Sequence, residues 1–200
     1  MNRVKKLACG VVAVALIVGY GLRAAEDKTG SLKVGDAAPA FTATDDQGKT
    51  WKSSDHVGKH ILVVYFYPAD MTGGCTKQAC GFRDDAKKLA DKGIEVVGIS
   101  GDSVKNHQFF KDFHKLTFTL LADEDGSVAK KFGVPVNKGG VFKTKDQAGK
   151  EVELKRGVTA SRWTFVIGKD GKIAYKDDKV KAAEDSKRIL ETVDKLEKDK

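Results

Sequence analysis

Two cysteines, Cys75 and Cys80, are the residues of this sequence whose type and spacing point most clearly to chemistry. An apolar run typical of a buried strand ends at Pro68, and a helical pattern begins at Cys75. Free backbone N–H groups and the positive end of the helix dipole stabilise an anion in the first turn of a helix. A thiol placed there loses its proton more easily, and the thiolate is the nucleophile. The sequence therefore predicts a nucleophilic cysteine where a strand passes through a loop into a helix.

The loop before Cys75 has the residue types that such a nucleophile needs. Gly73 and Gly74 keep the backbone slim, so that their N–H groups can approach a bound oxyanion. The Thr72 hydroxyl can donate one hydrogen bond and accept another. Pro68 stiffens the chain as it leaves the strand and can shield one side of the thiolate.

The spacing of the two cysteines bears on whether they bond to each other. In an ideal helix, residues five apart have Cα atoms about 8.7 Å apart, whereas a disulfide spans at most about 7 Å. A permanent disulfide would break the helix that the pattern predicts, so a transient disulfide with local unwinding fits the spacing better. A structural disulfide stays open as the alternative, because it is the usual role of two cysteines in an exported chain. Zinc is not expected, since no histidine stands at ligand spacing from the pair; the four histidines are predicted at the surface or at edges: His56, His60, His107 and His114.

Length and composition indicate one soluble globular domain with an N-terminal addition. The chain has 200 residues, of which 40% are hydrophobic and 32% charged, and its net charge is +8. Four basic residues and no acidic ones fall within residues 1–25, so the remainder carries +4. Those remaining lysines are scattered among acidic residues without interleaved aromatics, which predicts no nucleic-acid partner.

Residues 1–25 have the outline of a secretory signal. A basic start leads into the apolar run 7–22, and the small residues Ala24 and Ala25 precede a polar segment. Arg23 makes the cleavage site imperfect, so the segment is predicted to be a signal peptide or an N-terminal membrane anchor. We expect the protein to be exported, into the periplasm, with membrane attachment only if the segment stays uncleaved. Residues 26–33 are predicted to be a flexible lead-in, and 34–200 the folded domain.

Hydrophobic periodicity supplies the elements that must position the cysteines. Helices are predicted at 75–92, 102–114, 123–132 and 181–198, buried strands at 60–67, 94–100 and 118–122, hairpins at 39–52 and 162–176, and loops around short extended pieces at 133–160. One helix between two apolar strands is a βαβ unit with parallel strands. We therefore predict an α/β domain with a thioredoxin-like fold, in which a central mixed β-sheet is flanked by helices on both faces.

At this point the residues resemble a known family. The segment Tyr67-Pro68-x-x-x-Thr72-x-x-Cys75-Thr76-x-x-Ala79-Cys80-x-Phe82-Arg83-Asp84 resembles the active-site segment of the peroxiredoxins, and more narrowly of the bacterioferritin-comigratory-protein (PrxQ) type. The resemblance runs from Val34 to Lys195. It includes Gly35-Asp36-x-Ala38-Pro39-x-Phe41 and Arg162-x-Thr164-Phe165-x-Ile167-x-x-Asp170-Gly171.

The resemblance implies an antioxidant thiol peroxidase that reduces hydrogen peroxide and organic hydroperoxides without a metal or organic cofactor. By carry-over, Cys75 is the peroxidatic cysteine and becomes a sulfenic acid, and Cys80 is the resolving cysteine, which forms an intramolecular Cys75–Cys80 disulfide. Thr72 hydrogen-bonds the peroxide, Arg162 favours the thiolate and orients the attacked oxygen, and Pro68 limits access. Thioredoxin or a similar dithiol protein would restore the thiols.

Three positions depart from the family pattern. Gly73 stands where proline is usual, Gln78 stands where glutamate is common, and the segment 138–159 before Arg162 is longer than expected, which makes Arg156 the alternative cation.

Two other functions compete with the peroxidase. One is an exported thiol–disulfide oxidoreductase, although its Cys-x-x-Cys mark does not occur here; the other is a non-enzymatic domain with a structural disulfide. No apolar helix face is left without a predicted partner, so we expect a monomer.

Overall fold

The computed structural model describes residues 32–198. The predicted signal or anchor segment, residues 1–25, and most of the lead-in lie outside this range, as does Cys9. Leu32, at the start of the described chain, packs against the core. Within residues 32–198 no helix has both the length and the apolar character needed to cross a membrane.

Eleven strands and five α-helices make up the described chain. The strands are β1 (Thr42–Asp45), β2 (Thr50–Lys52), β3 (Ile61–Phe66), β4 (Ile94–Ser100), β5 (Thr119–Ala122), β6 (Val136–Lys138), β7 (Val141–Lys145), β8 (Glu151–Lys155), β9 (Val158–Ala160), β10 (Trp163–Ile167) and β11 (Ile173–Asp177). The helices are α1 (Gly73–Asp84), α2 (Ala86–Asp91), α3 (Val104–His114), α4 (Ser127–Lys131) and α5 (Asp185–Lys198).

Seven strands form the central sheet, in the order β11-β10-β3-β4-β5-β1-β2. β3, β4 and β5 run parallel to one another. β10 lies antiparallel to both β3 and β11, and β1 is antiparallel to β2 and β5. The predicted βαβ unit, both predicted hairpins and the mixed sheet are therefore confirmed.

The apolar run of β3 is buried on both faces of the sheet, as parallel strands require. Leu62, Val64 and Phe66 contribute to one core, which α4 covers. Val63 and Tyr65 contribute to the other, which also includes side chains of α1, α2, α3 and α5. Helices thus flank the sheet on both faces, as predicted for the thioredoxin-like fold.

The predicted helix 75–92 is in fact two helices that meet at Asp85. The backbone of Asp85 leaves helical geometry there, with φ −92° and ψ 5°. Its carboxylate accepts hydrogen bonds from Ser186 of α5 and from Lys88, which hold the break in place. Beyond the break, Leu89 is buried and Ala90 is exposed. The first helix also begins at Gly73, two residues earlier than predicted.

The segment 133–160 contains more regular structure than predicted. β6 pairs with β9, and β7 and β8 form a separate antiparallel hairpin. The Asp146 carboxylate closes the hairpin turn by accepting from the backbone N–H groups of Ala148 and Lys150. Asp185, rather than Lys181, is the first residue of the C-terminal helix.

Candidate active site

Cys75 lies in the first turn of α1, as the third residue of that helix, and its side chain is 1% exposed. It packs in the core between the sheet and the helices, beside Tyr65 and Tyr67. Cys75 and Cys80 are both free thiols on the same helix, and Cys80 is half-buried. The structure thus represents the dithiol state, with the predicted nucleophile at a helix N-terminus.

Arg162 supplies a cation at the Cys75 sulfur. Its Nη2 donates to Sγ of Cys75 at 3.2 Å, and its Nη1 donates to Oε1 of Gln78. Gly74 allows this approach, because a Cβ built at that position would lie 3.3 Å from Nη2 of Arg162. The alternative cation, Arg156, donates instead to Oγ1 of Thr159 at 2.8 Å. Of the two arginines, it is Arg162 that the fold brings to the cysteine.

A buried carboxylate lies beyond Gln78. Oδ2 of Asp185 accepts from Nε2 of Gln78 at 2.6 Å and from Oγ1 of Thr164 at 2.8 Å. Gln78 and Thr164 are fully buried, and Asp185 is 2% exposed. Burial raises the pKa of Asp185, and the hydrogen bonds from Gln78 and Thr164 partly oppose that effect. A chain of contacts therefore runs from α5 through Gln78 and Arg162 to the thiol.

Thr72 and Pro68 lie in the loop that leads into α1. Thr72 is the residue that precedes the helix, and its hydroxyl donates to the carbonyl of Ala69 at 3.0 Å. Pro68 is half-buried just after β3. Met71, between them, has φ 62°, a left-handed conformation that is uncommon for a residue other than glycine. The loop is therefore held in one particular shape next to the thiol.

A buried polar cluster fastens this loop to α3. The Asp70 carboxylate accepts from the Tyr67 hydroxyl at 2.7 Å and pairs with Nδ1 of His107 at 2.8 Å. The Asp70 N–H donates to Oδ2 of Asp102 at 2.9 Å. His107 is fully buried, so its predicted place at the surface or an edge is wrong. The error arose because the buried carboxylate that pairs with it comes from a distant part of the chain.

Sequence reasoning assigned no role at the site to three polar residues of this region, namely Gln78, Asp185 and His107. Each stands in register with buried residues of its helix: Asp185 lies one helical turn before Ile189, which is fully buried. A polar or charged residue on an apolar stripe is the signal that could have found them. This pattern predicts that the residue is buried, but it does not predict the hydrogen-bond partner, because the partner lies elsewhere in the chain.

This arrangement suits attack by a thiolate on a small electrophile. A cation beside the sulfur favours the thiolate, and the guanidinium donates in a fixed planar fork. The fold is thioredoxin-like, and the thiol is held against a guanidinium at the N-terminus of a helix. These two features define the class of protein as a thiol-based redox enzyme.

Residues 34–176 match the family model described as the AhpC/TSA family. The chain is 44% identical over 151 residues to a bcp-type peroxiredoxin of Coxiella burnetii, a match that covers 76% of this chain and 91% of that protein. It is 43% identical over 146 residues to the chloroplastic peroxiredoxin Q of Oryza sativa, covering 73% of this chain and 59% of that longer protein.

Among solved structures, the peroxidoxin BcpB of Mycobacterium tuberculosis superposes with a TM-score of 0.68 at 33% identity, over 82% of this chain and 98% of that one. The bacterioferritin comigratory protein of Xanthomonas campestris, described for its alkyl peroxide reduction activity, superposes with a TM-score of 0.65 at 28% identity, over 82% and 97%. The chain therefore belongs to the AhpC/TSA family and is a peroxiredoxin of the Bcp/PrxQ type. Peroxiredoxins are thiol-dependent peroxidases.

Proposed function

We propose that the protein reduces hydrogen peroxide and organic hydroperoxides through a Cys75 sulfenic acid and a Cys75–Cys80 disulfide. The observation that carries the proposal is the 3.2 Å contact between Nη2 of Arg162 and Sγ of the buried Cys75. A buried thiol in this position is poorly accessible to a large partner such as another protein and better suited to react with a small molecule such as a peroxide. Organic hydroperoxides are included because the Xanthomonas relative is described for alkyl peroxide reduction.

The first step transfers one oxygen atom from the peroxide to sulfur. The Cys75 thiolate attacks one oxygen of the O–O bond, so that an S–O bond forms as the O–O bond breaks. The leaving alkoxide or hydroxide takes up a proton and departs as an alcohol or water, and Cys75 is left as a sulfenic acid. Arg162 stabilises the charge that moves from sulfur to oxygen. Since the Thr72 hydroxyl donates to Ala69, its oxygen can accept the peroxide O–H.

The second step forms the disulfide. Cys80 attacks the sulfur of the sulfenic acid, an S–S bond forms, and water leaves. The two residues lie on one continuous helix, where Cα atoms five residues apart are separated by about 8.7 Å. At least one turn of α1 must therefore unwind before the sulfurs can bond. A dithiol protein such as thioredoxin then reduces the disulfide by thiol–disulfide exchange.

Two cysteine variants test this sequence of steps. Cys75→Ser should abolish peroxide consumption with thioredoxin as the reductant. Cys80→Ser should consume about one equivalent of peroxide per chain and accumulate the sulfenic or over-oxidised form of Cys75. Peptide mass spectrometry identifies the product and separates it from Cys9. Full turnover by Cys75→Ser would overturn the assignment of the nucleophile.

Hydrogen exchange tests the unwinding itself. Backbone amides of residues 72–84 should exchange faster in the oxidised protein than in the reduced protein. The amides of β3 and β4 serve as the internal control and should stay protected in both forms. Equal protection of residues 72–84 in the two forms would contradict local unwinding.

The role of Arg162 has a matched control in Arg156. Arg162→Lys keeps the charge, but a single ammonium cannot reach both Cys75 and Gln78 in the way the fork does. We expect the rate constant for peroxide reduction to fall by about tenfold or more, since hydrogen bonds to charged groups contribute about 1.5–3 kcal/mol. Arg156→Lys should leave that rate constant unchanged. Equal effects of the two substitutions would remove Arg162 from its proposed role.

A further inference from the structure

Arg162 is a half-buried cation for which the usual kind of partner is missing. None of the carboxylates of residues 32–198 forms a salt bridge with it. Its two contacts at the site are the Cys75 sulfur and the Gln78 side-chain oxygen. Something other than a direct ion pair must therefore keep the guanidinium aimed at the thiol.

The Gln78 amide has one orientation that satisfies both of its neighbours. A guanidinium only donates hydrogen bonds, so the amide oxygen must face Arg162. The buried Oδ2 of Asp185 accepts from Nε2 of Gln78 at 2.6 Å, so the amide nitrogen must face Asp185. Without an acceptor at Asp185, the buried amide could turn over and present its NH₂ group to the guanidinium, which would repel Arg162 from its present position.

Asp185 is itself fixed from several directions. It is the first residue of α5, and the hydroxyl of Thr164 donates to the same Oδ2 at 2.8 Å. Its other oxygen, Oδ1, has no hydrogen-bond partner among the described residues. A buried carboxylate with an unpartnered oxygen is costly for folding, so a role in the fold alone does not explain its presence.

We propose that Asp185 is a positioning residue for the peroxidatic site: it fixes the orientation of Gln78, and Gln78 holds Arg162 against Cys75. The C-terminal helix thereby takes part in activating the thiol at the start of α1. Position 78 of this chain carries a neutral amide, and the nearest carboxylate of this relay, Asp185, lies one contact further away. The inference rests on the proposed role of Cys75 as the reacting thiol.

The readout is the pH dependence of Cys75 alkylation by iodoacetamide in the full chain, followed at the Cys75 peptide by mass spectrometry. Asp185→Ala should reduce the rate at neutral pH by about tenfold, because losing a hydrogen bond to a charged group costs about 1.5–3 kcal/mol, and should move the profile to higher pH. Ser186→Ala is the matched control: Ser186 also ties α5 to the α1–α2 junction, through Asp85 at 2.9 Å, and its loss should leave the profile unchanged. An unchanged profile in folded Asp185→Ala would overturn the proposal.

A rescue experiment at Gln78 decides the matter if Asp185→Ala fails to fold. Gln78→Glu alone places two carboxylates against each other and should slow alkylation by about tenfold, because like charges repel each other in one buried site. Adding Asp185→Asn should restore the rate, because the asparagine NH₂ can donate to the new carboxylate, which still accepts from Arg162. A double variant no faster than Gln78→Glu alone would overturn the proposal.

Alkylation uses no peroxide, so it separates this inference from the proposed function. Loss of peroxidase activity with an altered alkylation profile supports the positioning role. An alkylation profile of the Asp185 variant that matches the native protein would contradict the positioning role but would leave the peroxidase assignment intact.

Discussion

Gly73 occupies the first position of α1, and its backbone conformation there does not require a glycine. A Cβ built there meets no atom within 4 Å. Its φ is not in the left-handed region, and Thr72 before it is extended, with φ −76° and ψ 147°, as a residue before proline should be. The first position of a helix is also the one that proline favours.

Gly73→Pro should therefore stabilise the fold by about 0.4–1 kcal/mol through the unfolded state. Urea unfolding measures the gain. Gly74→Ala is the comparison: its new methyl group would lie 3.3 Å from Nη2 of Arg162, so we expect slower peroxide reduction from the displaced guanidinium. A destabilised Gly73→Pro would show that the loop depends on the glycine.

At this scale the sequence predicts where the cysteine and its cation lie better than it predicts the residues that support them. The place of Cys75 near a helix N-terminus could be predicted from a motif, and the approach of Arg162 from the family resemblance, since each belongs to a local pattern. Gln78, Asp185 and His107 could not, because their burial is tolerable only with partners far along the chain. Asp185, for example, contacts Gln78 across 107 positions of sequence.

Between elements, α5 packs closely on α1 at Gly81. A Cβ built on Gly81 would lie 3.1 Å from Oγ of Ser186 and 3.8 Å from its Cβ. Helix propensity alone predicts that Gly81→Ala stabilises α1 by about 1 kcal/mol. The close contact removes that gain, because Ser186 or α5 must shift.

We expect Gly81→Ala to be neutral or destabilising in the native background and stabilising in a Ser186→Ala background, where the 3.8 Å contact is ordinary packing. Chemical denaturation of the four proteins measures the coupling between the two sites. Additive effects would mean that Gly81 and Ser186 do not constrain each other. In the stabilised double variant, disulfide formation should also be slower, since α1 must unwind to permit it.

The loop before α1 depends on α3 through His107. Burial by itself lowers the pKa of His107, but the Asp70 and Asp102 carboxylates outweigh it and raise that pKa above its ordinary value of 6.5. The folded state thus holds the proton more tightly than the unfolded chain. This contribution to stability is complete below about pH 6.5 and is lost as pH rises through the folded-state pKa.

His107→Gln should destabilise the protein by about 3–5 kcal/mol, because it leaves a buried carboxylate without its partner. The loss should be larger at pH 6 than at pH 9, in unfolding experiments run at both. His56→Gln is the control, since His56 pairs with Glu95 at 2.9 Å where both side chains are 26% exposed. Its loss should cost less than about 1 kcal/mol. A His107 effect independent of pH would argue against a charged pair.

Elements with strong periodicity were predicted well, and their junctions were not. β4 was predicted with its observed bounds, since an apolar run flanked by Gly93 and Gly101 has few alternatives. The break at Asp85 could not be predicted, because hydrogen bonds from Ser186 and Lys88 stabilise it. The β7–β8 hairpin does alternate between exposed residues and half-buried or buried ones, but its strands, rich in lysine and glutamate, resemble loops.

For the whole molecule, we propose that residues 1–25 direct export. The full chain should be recovered from the periplasmic or membrane fraction, whereas a chain starting at Glu26 should stay in the cytoplasm. Cell fractionation followed by mass spectrometry of the N-terminus distinguishes a cleaved signal from a retained anchor. Recovery of the intact full chain in the cytoplasm would contradict export.

The burial of Cys75 also bears on how the enzyme meets its reductant. In the dithiol form Cys75 is 1% exposed and lies within an intact helix, so a protein as large as thioredoxin has no accessible surface of this residue to bind. Under the proposed mechanism, the disulfide forms only in an unwound segment, and that segment is the surface the reductant would recognise. Reduced enzyme, the product of recycling, would then not compete with oxidised enzyme for the same reductant. A scarce electron donor would be directed to the molecules that need it.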